Sequence, residues 1–170
     1  MKLKNLLLPC CLILFMTIAG YAQTNGRMAS LSVKATATVT DNLQLLTIRD
    51  IDLINPGSED NQITVSPITS SYAGLFKILG NPRARVRITF LQNEILEEQN
   101  GGNGMVRATY NISGAPIDTQ FQSTLLTVGE ANINLGDNGE FFIWLGAILD
   151  ISKATPGTYL SEFLLELEYI

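Results

Sequence analysis

The fold class is decided by the stretch Glu162-Phe163-Leu164-Leu165-Glu166-Leu167-Glu168-Tyr169. Its apolar residues recur at every second position, and three of the four positions between them carry a carboxylate. A two-residue period is the pattern of a β-strand with one buried and one solvated face. We therefore expect Phe163, Leu165 and Leu167 to be buried in a sheet.

The same alternation continues outward along the chain. It is clear in residues 31–39, 85–90 and 106–113, and weaker strands are predicted at 43–53, 62–67, 74–79, 121–128, 131–135 and 141–150. Turn residues separate these segments, and Asp137-Asn138-Gly139 is the best candidate for a hairpin turn. The one helix-friendly segment, Asn93–Gln99, is predicted to be a loop or a single turn. Short strands at this spacing predict an all-β sandwich or barrel.

The N-terminal segment has the sequence features of an export signal. Lys2 and Lys4 precede an apolar run from Leu6 to Ala19, and small residues follow it at Gly20 and Ala22. We expect residues 1–22 to be a cleaved signal peptide, 23–30 a flexible leader and 31–170 a single β-sandwich domain. The exported chain would reside in the periplasm, at the cell surface or outside the cell. Beyond the signal, the sequence has no apolar run long enough to span a membrane.

Charge and composition exclude several functions. The 170 residues carry a net charge of −5, which removal of Lys2 and Lys4 makes more negative, so a nucleic-acid partner is not expected. The chain has no His, and its two Cys, Cys10 and Cys11, lie in the predicted signal peptide. A Ser-His-Asp triad, a thiol nucleophile and a His-based zinc site are therefore excluded from the exported chain.

Paired carboxylates are the remaining route to catalysis. Glu166 and Glu168 share one strand face with Cα atoms roughly 7 Å apart, within the range of an acid–base pair. A solvated strand face needs such charges in any case, and the pair Glu97-Glu98 is interpreted in the same way, as loop charges. We assign no catalytic residue and predict that the chain is not an enzyme.

Cofactor and metal sites are not assigned either. Asp50 and Asp52, or the run Ser58-Glu59-Asp60-Asn61, offer oxygen ligands for calcium, but the spacing of a calcium loop is missing. Gly101-Gly102-Asn103-Gly104 lacks the Lys and Ser/Thr of a phosphate loop and is predicted to be a flexible turn. The aromatic residues that concentrate near the C-terminus are interpreted as core rather than as a sugar-binding platform: Phe141, Phe142, Trp144, Tyr159, Phe163 and Tyr169.

The order of several short motifs resembles a known family. These are Ala35–Val39, Leu43-Gln44-Leu45, Asp52-Leu53, Gly80-Asn81-Pro82, Val86–Thr89, Gly139–Ala147 and Pro156–Phe163, with Tyr169 at the end. Together they are similar to the bacterial exported family called domain of unknown function 4402, although Asp52–Gly57 departs from its Phe-Gly pair. The resemblance implies an immunoglobulin-like antiparallel β-sandwich exported by Gram-negative bacteria. It also implies a distant similarity to spore-coat-U-type subunits of chaperone–usher pili, and it brings no catalytic residues.

The leading functional hypothesis is an exported structural or adhesive surface protein, of the pilus-subunit kind, that assembles by strand addition. Its partners would be further copies or other surface subunits. The alternative is a secreted monomeric module that binds a glycan or another small ligand. The small apolar side chains of Leu31–Val39 suit insertion between two sheets, and the sequence leaves open whether this strand fills a groove in its own chain or in a neighbour.

Export gives the first testable prediction. N-terminal sequencing of the secreted protein is expected to begin at Gln23, within a few residues, because small residues at Gly20 and Ala22 form the cleavage site. Secreted protein that still begins at Met1 would contradict the assignment of residues 1–22.

Overall fold

The computed structural model describes residues 30–38 and 42–170, and among these the side chains of 30–34 and 42–170. The predicted signal peptide, residues 1–22, and nearly all of the predicted leader lie outside the described residues. The described chain contains eleven strands and one short 3-10 helix, at Gln120–Gln122. The strands are Ser30–Thr38 (β1), Gln44–Arg49 (β2), Gln62–Val65 (β3), Gly74–Leu79 (β4), Arg85–Phe90 (β5), Asn93–Glu97 (β6), Met105–Ala115 (β7), Thr124–Leu125 (β8), Glu130–Asn134 (β9), Glu140–Asp150 (β10) and Thr158–Tyr169 (β11).

The strands form two sheets that pack face to face. The four-stranded sheet has the order β1-β11-β5-β9, and the seven-stranded sheet has the order β2-β4-β10-β7-β6, with β3 also paired to β10 and β8 to β7. All pairings are antiparallel except the one between β1 and β11. The predicted all-β sandwich is therefore confirmed, and the parallel pair is its one departure from an antiparallel architecture.

The alternation in β11 gives the burial that the sequence predicted. Phe163, Leu165 and Leu167 are at most 2% exposed, whereas Leu164 on the opposite face is 39% exposed. Phe163 packs against the Tyr110 ring of the facing sheet, with centroids 5.1 Å apart. Burial of this apolar face between the sheets is the main stabilising contribution of β11.

Strand β10 is buried on both faces because loops cover the outside of the seven-stranded sheet. At Gly146, an added Cβ would lie 2.5 Å from the Pro67 ring, so only glycine admits the loop this closely. The Pro67 carbonyl accepts hydrogen bonds from Ser113 Oγ (3.1 Å) and Gln120 Nε2 (3.0 Å). This covering explains why Trp144, on the same face as Gly146, is 1% exposed.

Two turns stack at one end of the sandwich. The Gly80 amide donates to the Gly139 carbonyl (2.9 Å), and a Cβ on Gly139 would lie 2.2 Å from the Gly80 oxygen. The Asn81 amide donates to the Tyr169 hydroxyl (2.9 Å), which ties the same corner to β11. The prediction of a hairpin at Asp137–Gly139 is wrong: the turn joins β9 of one sheet to β10 of the other.

Two further local predictions are wrong. Asn93–Gln99, expected to be a loop or a single turn, contains β6, which forms a hairpin with β7. The strand expected at 121–128 is reduced to β8 after the 3-10 helix. In both segments the alternation is interrupted, and pairing with β7 decides which residues adopt strand geometry.

Replacing a buried side chain of β11 by alanine tests which face of the strand is buried. Leu165→Ala is expected to lower the free energy of unfolding by roughly 2–5 kcal/mol, since it removes buried methyl groups and leaves a cavity. Leu164→Ala, one residue away on the exposed face, is the matched control and should change it by less than about 1 kcal/mol. Urea denaturation measures both, and equal effects would mean that the faces are reversed.

Candidate functional site

The first strand is attached to the sandwich along a single partner. β1 pairs in parallel with β11 from Ser30 opposite Thr158 to Thr38 opposite Glu166. The Ser30 amide donates to the Gly157 carbonyl (2.9 Å) at the start of the pair. β1 is the last strand of its sheet, so in the described chain its other edge has no strand beside it. In the single chain described, β1 lies along β11 of its own chain, at the edge of the four-stranded sheet.

Among the side chains that the structure describes, those of residues 30–34 and 42–170, the fully buried core lies outside β1. The buried hydrophobic side chains of the described residues run from Leu43 to Leu167. Leu31 and Val33 are only partly buried where they pack against this core. Backbone pairing to β11 attaches β1 along its length, and withdrawal of the strand would expose the edge of β11 together with the core surface that Leu31 and Val33 cover.

Asn42 lies in the connection between β1 and β2 and has a left-handed backbone, with φ of 59°. Asn tolerates this region better than other residues with a side chain, and β-branched residues tolerate it worst. Its neighbour Leu43 is fully buried, so the position at which the chain leaves the core is fixed. Asn42 is thus the candidate hinge residue between β1 and the core.

The start of β11 is held from its other side by Glu98. The Glu98 carboxylate accepts hydrogen bonds from the amides of Gly102 (2.7 Å), Asn100 (2.8 Å) and Thr158 (3.1 Å), and from Asn100 Nδ2 (3.0 Å). The Gln99 amide donates to the Thr158 carbonyl (2.9 Å). Thr158 is therefore bound by β1 on one side and by the Glu98 segment on the other.

The interpretation of Glu98 as a solvated loop charge is therefore wrong. Its side chain is buried, and these hydrogen bonds, led by that from Gly102, hold the pKa of the carboxyl below its ordinary value of 4.5. Gly157 packs so closely that an added Cβ would lie 2.4 Å from Glu98. The sequence offered one indirect signal, the glycine-rich run 101–104 that begins three residues after Glu98 and supplies backbone amides close to this carboxylate.

The same end of β11 is closed by a tyrosine corner. The Tyr159 hydroxyl accepts from the Thr155 amide and donates to the Thr155 carbonyl, both at 2.8 Å. An added Cβ on Gly104 would lie 2.1 Å from this hydroxyl, so the corner needs glycine there. Corners of this kind fix the entry of a strand into a sandwich.

A polar cluster crosses the gap between β11 and β6. The Tyr110 hydroxyl donates its one proton to Ser161 Oγ (2.6 Å), and the Ser161 hydroxyl donates in turn to the Glu94 carboxylate. Burial raises the pKa of Tyr110 to about 12, so its hydroxyl keeps its proton. The sequence analysis did not single out these residues; the signal is Ser161, a polar residue at an apolar position of the β11 alternation.

The carboxylates considered for catalysis lie on the outer face of the four-stranded sheet. Glu166 and Glu168 are both exposed, opposite the buried face of β11, as the alternation predicted. Glu168 is 3.4 Å from Arg87 of the neighbouring strand β5. Their placement agrees with a solvated strand face that carries a cross-strand ion pair.

The residues considered for calcium form turns. The Asp52 carboxylate accepts from the amides of Ile54 (2.9 Å) and Asn55 (3.0 Å), and the Asn55 side chain is the first cause of its lowered pKa. Asp60 and Asn61 both have positive φ within a tight turn closed by mutual Glu59–Gln62 backbone hydrogen bonds. Nowhere in residues 30–38 and 42–170 do three metal-ligating side chains gather.

The aromatic residues near the C-terminus pack as the sequence indicated. Phe141, Phe142, Trp144, Tyr159 and Phe163 are buried, and Tyr169 is partly buried. In the part of the chain that the structure describes, the large aromatic side chains that are exposed are Tyr72 and Phe121. Neither belongs to the C-terminal aromatic residues that were weighed as a sugar-binding platform.

Comparison with known proteins gives no match: no family model fits the chain, and no curated protein is similar to it. Within residues 30–38 and 42–170, no helix could cross a membrane.

The Glu98 cluster predicts a dependence of stability on pH. Because folding lowers the pKa of this carboxyl, the cluster stabilises the fold above the unfolded value near 4.5, and this stabilisation is lost as the pH falls through the lower folded pKa. Glu98→Gln is expected to reduce the urea midpoint at pH 7, and the deficit should shrink toward pH 3. Glu97→Gln, an exposed neighbour, is the control; a deficit that is constant with pH would contradict the assignment.

Proposed function

We propose that the chain is an exported, non-enzymatic structural or adhesive surface protein that joins copies by exchanging its N-terminal strand. The observation that carries the proposal is the attachment of β1. The strand is bound by backbone pairing to β11 alone among the strands of its sheet, and Leu31 and Val33 are only partly buried against the core. A segment bound in this way can be replaced by the same segment of another copy, which would restore the same pairing.

The exchanged form would repeat the contacts of the closed form. A second copy's β1 in the same register places Leu31 opposite Tyr159 and Val33 opposite Ser161. Since these contacts are identical, the two forms differ in free energy through the hinge at Asn42 and through protein concentration. Donor strand and acceptor edge are different surfaces of one chain, so repeated exchange gives a head-to-tail chain that need not close.

The sequence supports the same role. The motif order resembles an exported bacterial family distantly similar to pilus subunits, and the export signal would deliver the chain to the surface. The absence of His, with Cys only at 10 and 11, removes the commonest catalytic nucleophiles and bases. The alternative, a monomeric glycan-binding module, has less support because the C-terminal aromatic side chains are packed inside the protein.

Mixing of two single-cysteine variants tests exchange directly. Ser32 and Leu160 are exposed register partners on β1 and β11. Neighbouring strands lie about 4.8 Å apart, within the reach of a disulfide. We expect Ser32→Cys protein mixed with Leu160→Cys protein to form a disulfide-linked heterodimer under mild oxidation, because the bond requires β1 of one copy on β11 of the other.

The control for this experiment is a pair of cysteines out of register. Glu166 pairs with Thr38 and lies six residues, roughly 20 Å, along β11 from Leu160. Ser32→Cys mixed with Glu166→Cys should therefore form no heterodimer above the level of random collision. If the in-register mixture gives no more heterodimer than this control after prolonged incubation at high concentration, the exchange proposal is wrong.

The hinge gives an independent prediction. Asn42→Val places a β-branched residue at a φ of 59° and should destabilise the closed form by at least about 1 kcal/mol. The fraction of multimers measured by light scattering is then expected to rise by roughly fivefold or more. Asn42→Gly, which accepts this φ freely, is the control and should leave the closed monomer favoured; an unchanged distribution in both variants would exclude a hinge role.

A further inference from the structure

A small cleft opens between β11 and the segment that connects β5 to β6. It has a volume of about 110 Å³ and is lined by Leu91, Asn93, Glu94, Tyr110, Glu162, Phe163 and Leu164. Pockets for whole drug-sized ligands measure about 300–1,000 Å³, so this cleft has room for one end group rather than a sugar ring or a nucleotide. It is separate from the pairing edge that β1 occupies.

The inner polar group of the cleft is the Glu94 carboxylate. It is half-buried, and one of its oxygens, Oε2, accepts a hydrogen bond from the Ser161 hydroxyl. No salt bridge from a Lys or Arg of the described residues reaches it. A partly buried carboxylate without a cation gains most from a ligand that brings a positive charge.

The mouth of the cleft is apolar. Leu91 is 75% exposed and Leu164 is 39% exposed, although both are large hydrophobic residues. The aromatic residues Tyr110 and Phe163 also line the cleft. The ligand that matches such a site has an apolar stem and a compact charged end.

We propose that this cleft binds a primary ammonium group carried on a short aliphatic stem. The ammonium would donate to Glu94 while the stem lies against Leu91 and Leu164. A guanidinium fits less well, because its fork needs both carboxylate oxygens and Oε2 already accepts from the Ser161 hydroxyl. A divalent metal fits less well still, because it prefers six or more oxygen ligands. The group would come from a lysine side chain of a partner or from a free small amine.

Titration of the purified protein with n-butylamine at pH 7 tests the proposal. Amide chemical shifts of Glu94, Ser161 and Leu164 are expected to move and to saturate, while n-butanol should produce no saturating shift. N-butylguanidine should bind several-fold more weakly. A parallel titration with Nα-acetyl-lysine N-methylamide separates the sources: comparable affinity indicates a lysine of a partner chain, and binding of butylamine alone indicates a free amine.

Matched variants locate the site. Glu94→Gln keeps an acceptor oxygen but removes the charge, and it should weaken butylamine binding at least about tenfold. Glu97→Gln removes a charge from the exposed face of the same strand and should leave binding unchanged. Leu91→Lys, at an exposed position where folding is unaffected, places a competing ammonium at the mouth and should also abolish binding.

Three results would overturn the proposal. They are the absence of saturating shifts with both amines, butylamine binding that survives Glu94→Gln and Leu91→Lys alike, and guanidine binding as tight as that of the amine. A loss of binding in Leu91→Lys, with an unchanged thermal midpoint, supports the site even if Glu94→Gln proves unstable. Neither the test nor its outcome depends on strand exchange.

Discussion

Backbone hydrogen bonding along the two edges of β11 is the constraint on which the rest of the molecule depends. One edge is paired with β1, and the other with β5 over its C-terminal half and with the Glu98 segment at its start. Between the Glu98 segment and β5, this second edge of β11 has no paired strand, and Ser161 donates a hydrogen bond to the Glu94 carboxylate of the facing sheet. The strand exchange and the ammonium site that we propose therefore use opposite edges of one strand.

The Glu98 carboxylate accepts hydrogen bonds from backbone amides that have no strand to pair with. Four nitrogen donors from three residues donate hydrogen bonds to this carboxylate. Without it, each donor would need another hydrogen-bond acceptor. It joins the end of the β6 segment to Thr158, and so couples the edge of one sheet to the first residue of the last strand. The glycines around it, Gly102 and Gly157, leave the space that this convergence needs.

The sequence predicted what depends on local pattern and missed what depends on distant partners. The sequence placed β4 at Gly74–Leu79 as one of its weaker strands, and alternation identified the buried face of β11, because burial of one face imposes a period of two. Strand β6 was missed because Leu96 is its only fully buried residue, and its strand geometry comes from pairing with β7. The Glu98 cluster was missed because one of its donors, Thr158, lies far along the chain, where no local pattern reports the contact.

The pairing of Ser30 with Thr158 also has a consequence for folding. It joins nearly the two ends of the described chain, so its loop-closure entropy is among the largest in the molecule, and such contacts form late. In the export from the N-terminus that we propose, residues 30–38 would emerge long before the strand that receives them. β1 would then remain unpaired until synthesis and export of the C-terminus are complete, and in that interval a neighbouring copy that has already folded could compete for it.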